Sequence, residues 1–248
     1  MTIASRISAR RLTRRGFSLA GVLVLALATA GCGDSEADQR KAFIGFLQDI
    51  NHRSGVHFLR PKPEEEKAFG DYLRHYTIIT DFNKDLTAVS NDYYERLKKL
   101  GIGPNSQART IEQMVARRQE IPVVKEETTK YVQAIETRVA KVNAERAALQ
   151  QPDDLKAVYN TTFDKLINAP AQAMVNSNKA LLALTDSSMR LVDYINDHRG
   201  KLTVSGTQVR ANDARTLAEV DVLLKAHHEN GRRFQDAQRN GQRVLGGS

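Results

Sequence analysis

The chain has 248 residues, of which 41% are hydrophobic and only 6% aromatic, with a single cysteine and no tryptophan. One cysteine excludes a framework of intrachain disulfides. The formal net charge is +8 from 37 basic and 29 acidic residues, but five arginines precede residue 32, and without them 32 bases face 29 acids for a net charge of +3. So small an excess does not indicate nucleic-acid binding.

Residues 1–31 have the three parts of a bacterial export signal. Five arginines, with no acidic residue among them, precede an apolar run over residues 17–30, and small side chains lead up to the cysteine. That order is typical of a signal peptide. Bacterial lipoproteins carry acyl chains, palmitate included, on a cysteine in this position. We therefore predict cleavage between Gly31 and Cys32 and lipidation of the Cys32 thiol.

Two other interpretations of this segment are weaker. A membrane-spanning anchor needs about 20 apolar residues, and the run over residues 17–30 is shorter. An ordinary secretory signal would leave a free thiol in an oxidising compartment. The export route stays open, because Arg14 and Arg15 form the pair that a twin-arginine signal requires, whereas any arginine-rich segment contains such pairs by chance.

An acylated Cys32 would tether the mature chain to membrane lipid without spanning the bilayer. Gly33 follows the cysteine, whereas aspartate there would resemble an inner-membrane retention signal. We therefore expect a periplasm-facing protein on the inner leaflet of the outer membrane, in preference to the inner membrane. The expected organisation is a removed signal over residues 1–31, a lipidated cysteine and short tether over 32–38, and a single helical domain over 39–245.

The first predicted helix begins at a capping box, Ser35-x-x-Asp38, and ends near His52. Pro63 and the three glutamates after it predict a second start, because proline fits the first turn and acids stabilise the positive end of the helix dipole. A long helix with apolar positions spaced three and four apart then runs to Gly101. Its seam comprises Phe69, Tyr72, Tyr76, Ile79, Asn83, Leu86, Val89, Tyr93, Arg96 and Leu100.

Further helical segments follow. A piece over residues 110–120 is interrupted at Pro122, which either kinks one helix or separates two. A seam over residues 132–149 predicts the next helix. A shorter helix starts at Asp153 and ends before Pro170, and another runs from there to Gly200.

Residues 201–210 change period and predict a small β-hairpin around Ser205-Gly206. Asn212 or Asp213 caps a last helix, whose far end the glycines at 231 and 241 should weaken. Together these elements predict a mainly α fold, an elongated antiparallel helical bundle with coiled-coil-like seams and one hairpin. The last seam comprises Leu217, Val220, Leu224, His227, Gly231 and Phe234.

No motif in the chain calls for catalysis or a metal. The sequence contains no His-Glu-x-x-His, no Glu-x-x-His and no Gly-x-Ser-x-Gly. Asp49 with His52, and Asp71 with His75, indicate surface hydrogen bonds, and His227 on the last seam indicates a core-edge histidine. We therefore predict no catalytic residue, no metal and no cofactor.

Basic residues are concentrated in two places, Arg117-Arg118 and the last helix. Such clusters can contact anionic lipid head groups or an acidic cell-wall polymer. A net charge of +3 for the mature chain favours a solvated helix face instead. The helical set consists of Lys225, Arg232, Arg233, Arg239 and Arg243.

The segment from Asp38 to Gln48, DQRKAFIGFLQ, resembles the opening of the YiaF-like bacterial lipoproteins. Three later segments, over residues 53–55, 153–156 and 193–195, are similar at comparable spacing, and the likeness covers essentially the whole mature chain. At the hairpin turn this chain has Ser205-Gly206 where the family leads us to expect Asn-Gly. The family has a domain of unknown function. The resemblance therefore implies a lipoprotein and transfers no catalytic or binding residue.

These features favour a non-enzymatic envelope lipoprotein, a helical binding or scaffolding module facing the periplasm. Its expected partners are membrane lipid, through acylated Cys32, and an envelope protein or cell-wall polymer, with no nucleic acid. Two alternatives stay open. One is a ligand- or stress-sensing subunit with an inter-helix pocket, and the other is a hydrolase with an unrecognised site. The pocket would lie near Tyr72, Tyr76, Tyr93 and Tyr94.

Overall fold

Helices make up most of the chain in the computed structural model, which describes residues 35–102 and 110–246. A 3₁₀ turn over Gly70–Tyr72 precedes α3, and a π-helical turn over Asp164–Asn168 joins α6 to α7. The predicted helical bundle with one hairpin is confirmed. The elements are α1 (Glu36–His52), α2 (Pro63–Phe69), α3 (Leu73–Lys99), α4 (Ile111–Ala116), α5 (Glu120–Ala147), α6 (Asp153–Phe163), α7 (Ala169–Asp197), β1 (Leu202–Ser205), β2 (Gln208–Ala211) and α8 (Ala214–Gly246).

The first helix begins where its capping box predicts. Ser35 is the N-cap, and its hydroxyl accepts the backbone N–H of Asp38 at 3.3 Å. Burying a side chain of leucine or phenylalanine size contributes roughly 1.5–3 kcal/mol, so the inner face fixes α1 on the body. That face consists of Phe43, Leu47 and Ile50, all fully buried, with Phe46 half-buried beside them.

The long helix predicted after Pro63 is broken at Gly70. Pro63 does open α2, but Gly70 has a φ of 52° and α3 starts only at Leu73. The side chain of Gln39, from α1, lies directly against Gly70 and leaves no room for a Cβ. The break coincides with the positive φ of Gly70, a conformation that favours glycine, and with the Gln39 side chain packed against it; neither feature appears in the helical spacing of apolar residues.

Two prolines lie in the first turn of a helix. Pro122 follows a turn over residues 117–119 and sits at the start of α5, so the chain makes two helices there. The helix predicted to end before Pro170 instead continues into α7 through the π turn, where the Ala169 N–H donates to the carbonyl of Asp164. A π turn is wider than an α turn, so it accommodates a proline ring that would otherwise clash with the carbonyl four residues back.

The long helices run antiparallel to their neighbours. Lys125 of α5 pairs with Asp186 of α7 at 2.6 Å, and Lys179 of α7 pairs with Glu136 of α5 at 2.7 Å. These side chains are two-fifths or more exposed, so each pair contributes at most about 1 kcal/mol. The stabilisation comes mainly from the buried cluster that α1, α2, α3, α5, α6 and the start of α7 share.

The predicted hairpin is confirmed. β1 pairs antiparallel with β2, and Ser205 lies opposite Gln208. Gly206, the first central residue of the turn, has a φ of 58°, a conformation that favours glycine at this position of hairpin turns. The N–H of Glu112 donates to the Gly206 carbonyl at 3.1 Å, which ties the turn to α4. A second buried cluster lies here, formed by Ile111, Leu191, Ile195, Leu202 and Val220.

The last helix starts at its predicted cap, because the Asp213 carboxylate accepts the Thr216 N–H at 2.8 Å. One expectation for α8 is wrong, because Leu217, placed on the seam, is 41% exposed. The helix continues through both of its interior glycines to Gly246, and the weakening of its far end stays a prediction. Packing along α7 outweighs the low helix propensity of glycine. No helix within residues 35–102 and 110–246 is both long and apolar enough to cross a bilayer.

The C-terminal ends of α1 and α8 meet. α1 packs along α6 and α8 packs along α7. Since α6 continues into α7, α1 and α8 lie end to end along one continuous helical segment. The Val56 N–H, just after α1, donates to the carbonyl of Leu245 at 3.0 Å. A Cβ on Gly55 would lie 2.8 Å from that carbonyl oxygen. Glycine is therefore needed at this junction.

Lys165, from the π turn, reaches the same junction. Its ammonium group donates to the backbone carbonyls of Ile50 at 2.9 Å and Asn51 at 3.0 Å, and also to that of Arg53. The carbonyls at the end of a helix lack intrahelical partners. A cation there also suits the negative end of the helix dipole. Lys165 therefore caps α1 from the side.

Candidate functional site

The residues predicted to carry the lipid lie outside the described residues. Arg14, Arg15, Gly31 and Cys32 all precede residue 35, so cleavage and acylation stay predictions. Ser35 is three residues beyond Cys32, and three extended residues span at most about 11 Å. An acyl chain on Cys32 would therefore lie close to the first turn of α1.

The first turn of α1 is fastened to two other helix starts. The Tyr72 hydroxyl donates to the carboxylate of Glu36, and the Arg40 guanidinium lies 3.7 Å from Glu36 and 3.4 Å from Asp154. Burial, followed by the hydrogen bond to Glu36, raises the pKa of Tyr72, so the hydroxyl keeps the proton that it donates. The chain thus enters the body at the end where α1, α3 and α6 begin.

The four tyrosines singled out for an inter-helix pocket do not come together around one. Tyr72, Tyr76 and Tyr93 are 9%, 1% and 3% exposed, whereas Tyr94 is 62% exposed. The Tyr76 hydroxyl donates to the carbonyl of Leu59 at 2.7 Å, and burial raises the pKa of Tyr76 to about 12. Three of the four are therefore core side chains.

A ladder of polar contacts joins α3 to α5. Ser90 and Tyr131 are hydrogen-bonded at 2.7 Å, and Tyr93 and Thr128 at 3.0 Å. The rings of Tyr93 and Tyr131 stack with centroids 4.3 Å apart. One turn further, Arg96 and Glu127 form an ion pair at 2.8 Å. The sequence pattern did not predict this ladder, although Arg96, a polar residue at a position of the apolar seam, was a signal of it.

His75 is the most deeply buried histidine of the described chain. It is 1% exposed, with Nδ1 3.0 Å from the amide nitrogen of Gln151, and its backbone carbonyl accepts the Tyr159 hydroxyl at 2.8 Å. Burial, with a smaller effect of Arg74, lowers its pKa below 6.5. The expected surface pair with Asp71 is therefore wrong, because the ring points into the core.

Ser188 and His227 are the nearest approach to a nucleophile and base in the described residues. Ser188 Oγ lies 3.2 Å from His227 Nδ1 and 2.8 Å from the carbonyl of Leu184. A hydroxyl has one proton, and the closer carbonyl is an acceptor only, so the imidazole N–H completes the contact as donor. That is the reverse of the arrangement in which a histidine base removes the serine proton. The pair therefore joins α7 to α8, and His227 is the core-edge residue that the sequence predicts.

A shallow pocket of about 170 Å³ lies where α4 gives way to α5. Ligand pockets usually enclose about 300–1,000 Å³. The ion pair between Arg118 and Asp193, at 2.8 Å, forms part of its wall. The pocket is lined by Arg118, Gln119, Ile121, Pro122, Met189 and Asp193.

The aspartate predicted to pair with His52 has another partner. Asp49 pairs with Arg53 at 2.9 Å, in place of the expected His52. In the described residues, no three His, Cys, Asp or Glu side chains are placed to hold a metal ion together. Most of the polar pairs described above therefore join separate elements of the body.

The fold and these contacts define a mainly helical protein. The polar side chains described above contribute to the packing of its elements. A family model with the description "Protein of unknown function (DUF3053)" matches residues 20–242, and the chain belongs to that family. It is similar to the "Uncharacterized protein YiaF" of Escherichia coli K12, of E. coli O157:H7 and of Shigella flexneri. Each is 25% identical over 218 residues, which cover 87% of this chain and 91% of the relative. No solved structure matches the chain. The resemblance to the YiaF-like family is thereby confirmed, and the relatives' names state no activity.

Proposed function

We propose that the chain is an envelope lipoprotein, anchored by acyl chains on Cys32, whose helical body is a non-enzymatic binding or scaffolding module facing the periplasm. The observation that carries this proposal is the order of residues 1–32, in which arginines, an apolar run and small residues end at the single cysteine. The folded body begins at Ser35, so the tether is short and the module is held beside the lipid surface.

The contacts between helices support a binding or scaffolding role. The pairs at Tyr93–Thr128, Ser188–His227 and Lys165–Ile50 each engage their polar atoms between elements. Such pairs fix the relative positions of helices. A rigid body on a short lipid tether suits presentation of a surface to a second envelope component.

The anchor is tested by comparing the wild type with Cys32→Ser in a bacterial host. We expect the wild type to lose residues 1–31, carry acyl chains on its N-terminal peptide by mass spectrometry, and sediment with membranes. Cys32→Ser should lack the acyl mass and leave the membrane pellet or stay unprocessed. Density-gradient separation of the two membranes then tests the preference for the outer one.

The matched control is Ser35→Ala, which leaves Cys32 in place and removes the N-cap of α1. It should lower the free energy of unfolding by about 1 kcal/mol and leave acylation unchanged. An unmodified Cys32 in full-length wild-type protein would contradict the proposal.

A further inference from the structure

The basic excess of the mature chain is confined to the C-terminal part of α8. Residues 225–246 contain five basic and two acidic side chains, a net charge of +3, which equals the charge of the whole chain after residue 31. Lys225, Arg232, Arg239 and Arg243 are spaced by seven, seven and four residues, so they share one face of the helix. All four are exposed, and Arg233 is exposed beside them. We call these five residues the basic face.

Few acids offset the basic face. Asp236 pairs with Arg239, Asp221 is exposed one turn before Lys225, and Glu229 is half-buried at the edge of the face. Among the described residues, the other four cations of the basic face form no ion pair. An uncompensated row of exposed cations favours an anionic partner.

The position of α8 relative to the tether selects that partner. α1 starts at Glu36, four residues after Cys32, and α8 continues beyond the end of α1, joined through Val56 and Leu245. If the start of α1 is tethered to the membrane, the helical body can therefore lie on its side, with α8 against the membrane surface. In the alternative orientation, the end of the body where α1, α3 and α6 begin would face the membrane. That orientation would bring exposed acids towards anionic head groups. Those acids include Glu36, Asp38, Asp153 and Asp154.

We propose that the basic face of α8 rests on anionic phospholipid head groups of the membrane that holds the acyl anchor. The nearness of that membrane rests on the proposed function, and the contact itself is electrostatic. It adds a second membrane signal to the acyl chains, a combination that strengthens anchoring.

The experiment uses the mature chain with Cys32→Ser, so that no lipid anchor contributes. Its partition is measured by sedimentation with vesicles of phosphatidylcholine alone and with vesicles containing one quarter phosphatidylglycerol. We expect binding only to the anionic vesicles, weakening as salt is raised. Replacing Arg232, Arg233 and Arg243 by glutamine should lower the partition coefficient about tenfold or more.

The matched control replaces Lys84, Lys98 and Lys99, exposed on α3, by glutamine, the same change in net charge. It should keep the partition coefficient within about twofold of the parent, because these lysines lie off the basic face. Thermal unfolding of both triple variants shows whether each is folded. The salt dependence of the parent tests the proposal independently of any variant.

Three results would overturn the contact. They are equal binding to neutral and anionic vesicles, an equal loss in the control, and binding to isolated cell-wall polymer with none to anionic vesicles. None of them bears on acylation of Cys32, so failure here is distinguishable from failure of the anchor.

Discussion

At the scale of single residues, buried polar groups decide how the helix ends are held. Lys165 satisfies carbonyl groups at the end of α1 with one ammonium group. Asn51 also has a buried side-chain oxygen without a hydrogen-bond partner, so the junction already contains one unsatisfied group. Further loss of pairing there should be costly, since a buried unsatisfied polar group costs about 1–3 kcal/mol.

Lys165→Met tests this cap. The variant keeps a long apolar stem but removes the ammonium donor from the carbonyls of Ile50 and Asn51, leaving Ile50 the Arg53 N–H at 3.3 Å. We therefore expect the free energy of unfolding to fall by about 1–3 kcal/mol. Urea denaturation measures the change. Lys156→Met, at an exposed position of α6, should stay within about 0.5 kcal/mol of wild type. Equal effects of the two substitutions would show that Lys165 does not cap α1.

The buried histidines make stability depend on pH. Burial lowers the pKa of both His75 and His227 below 6.5, so the folded protein resists their protonation. The unfolded chain takes up these protons as the pH falls through about 6.5. Their contribution to stability is therefore complete above that pH and is lost progressively below it.

His75→Gln should reduce this pH dependence. We expect the difference in unfolding free energy between about pH 7.5 and about pH 5 to be smaller in the variant than in wild type, because one buried proton-binding group is gone. The measurement is urea denaturation at both pH values. His52→Gln, at an exposed position, is the control and should leave the difference unchanged. An unchanged difference in His75→Gln would mean that the ring is not protected from protons in the folded state.

At the scale of elements, the junction of α1 with α8 and the hairpin turn each depend on a glycine, for different reasons. Gly55 and Gly206 have φ values of 75° and 58°. A Cβ at Gly206 would meet open space, whereas at Gly55 it would press on the last turn of α8. A substitution at Gly206 therefore tests backbone strain alone, whereas one at Gly55 tests backbone strain together with a steric clash.

Alanine at these two glycines should give unequal losses of stability. Gly206→Ala carries only the left-handed backbone penalty, roughly 1 kcal/mol. Gly55→Ala adds displacement of the α8 end, for a total of roughly 2–4 kcal/mol. Chemical denaturation of both variants provides the comparison. Equal losses would contradict close packing at the junction.

The elements that were predicted correctly are those whose causes lie within a few residues. Ser35, Pro63 and Asp213 start helices through local capping chemistry, and the hairpin follows from a change of period beside Gly206. The break at Gly70 and the continuation of the helix through Pro170 were both missed, since one occurs at a positive φ beside Gln39 from another helix and the other depends on a π turn. Neither cause leaves a periodic signal in the sequence.

At the scale of the whole molecule, the sequence predicts a modification site but does not predict which surfaces face a partner. Cys32 is predicted from local order alone, as is the absence of a catalytic motif. The basic residues of α8 were visible in the sequence, but the net charge of +3 favoured a solvated helix face. The sequence could not show that α8 continues beyond the end of α1. Side-chain exposure and the arrangement of helices show where the basic residues cluster, which the net charge of the whole chain does not.

The contact between Val56 and Leu245 also bears on how the protein is made. Val56 follows the first helix, whereas its acceptor Leu245 lies in the last turn of α8, so this contact forms only once residue 245 has been synthesised. The start of the body therefore stays without this contact until α8 has been synthesised. A fusion at the C-terminus needs a flexible spacer, because a bulky tag joined directly to α8 would crowd the segment around Gly55.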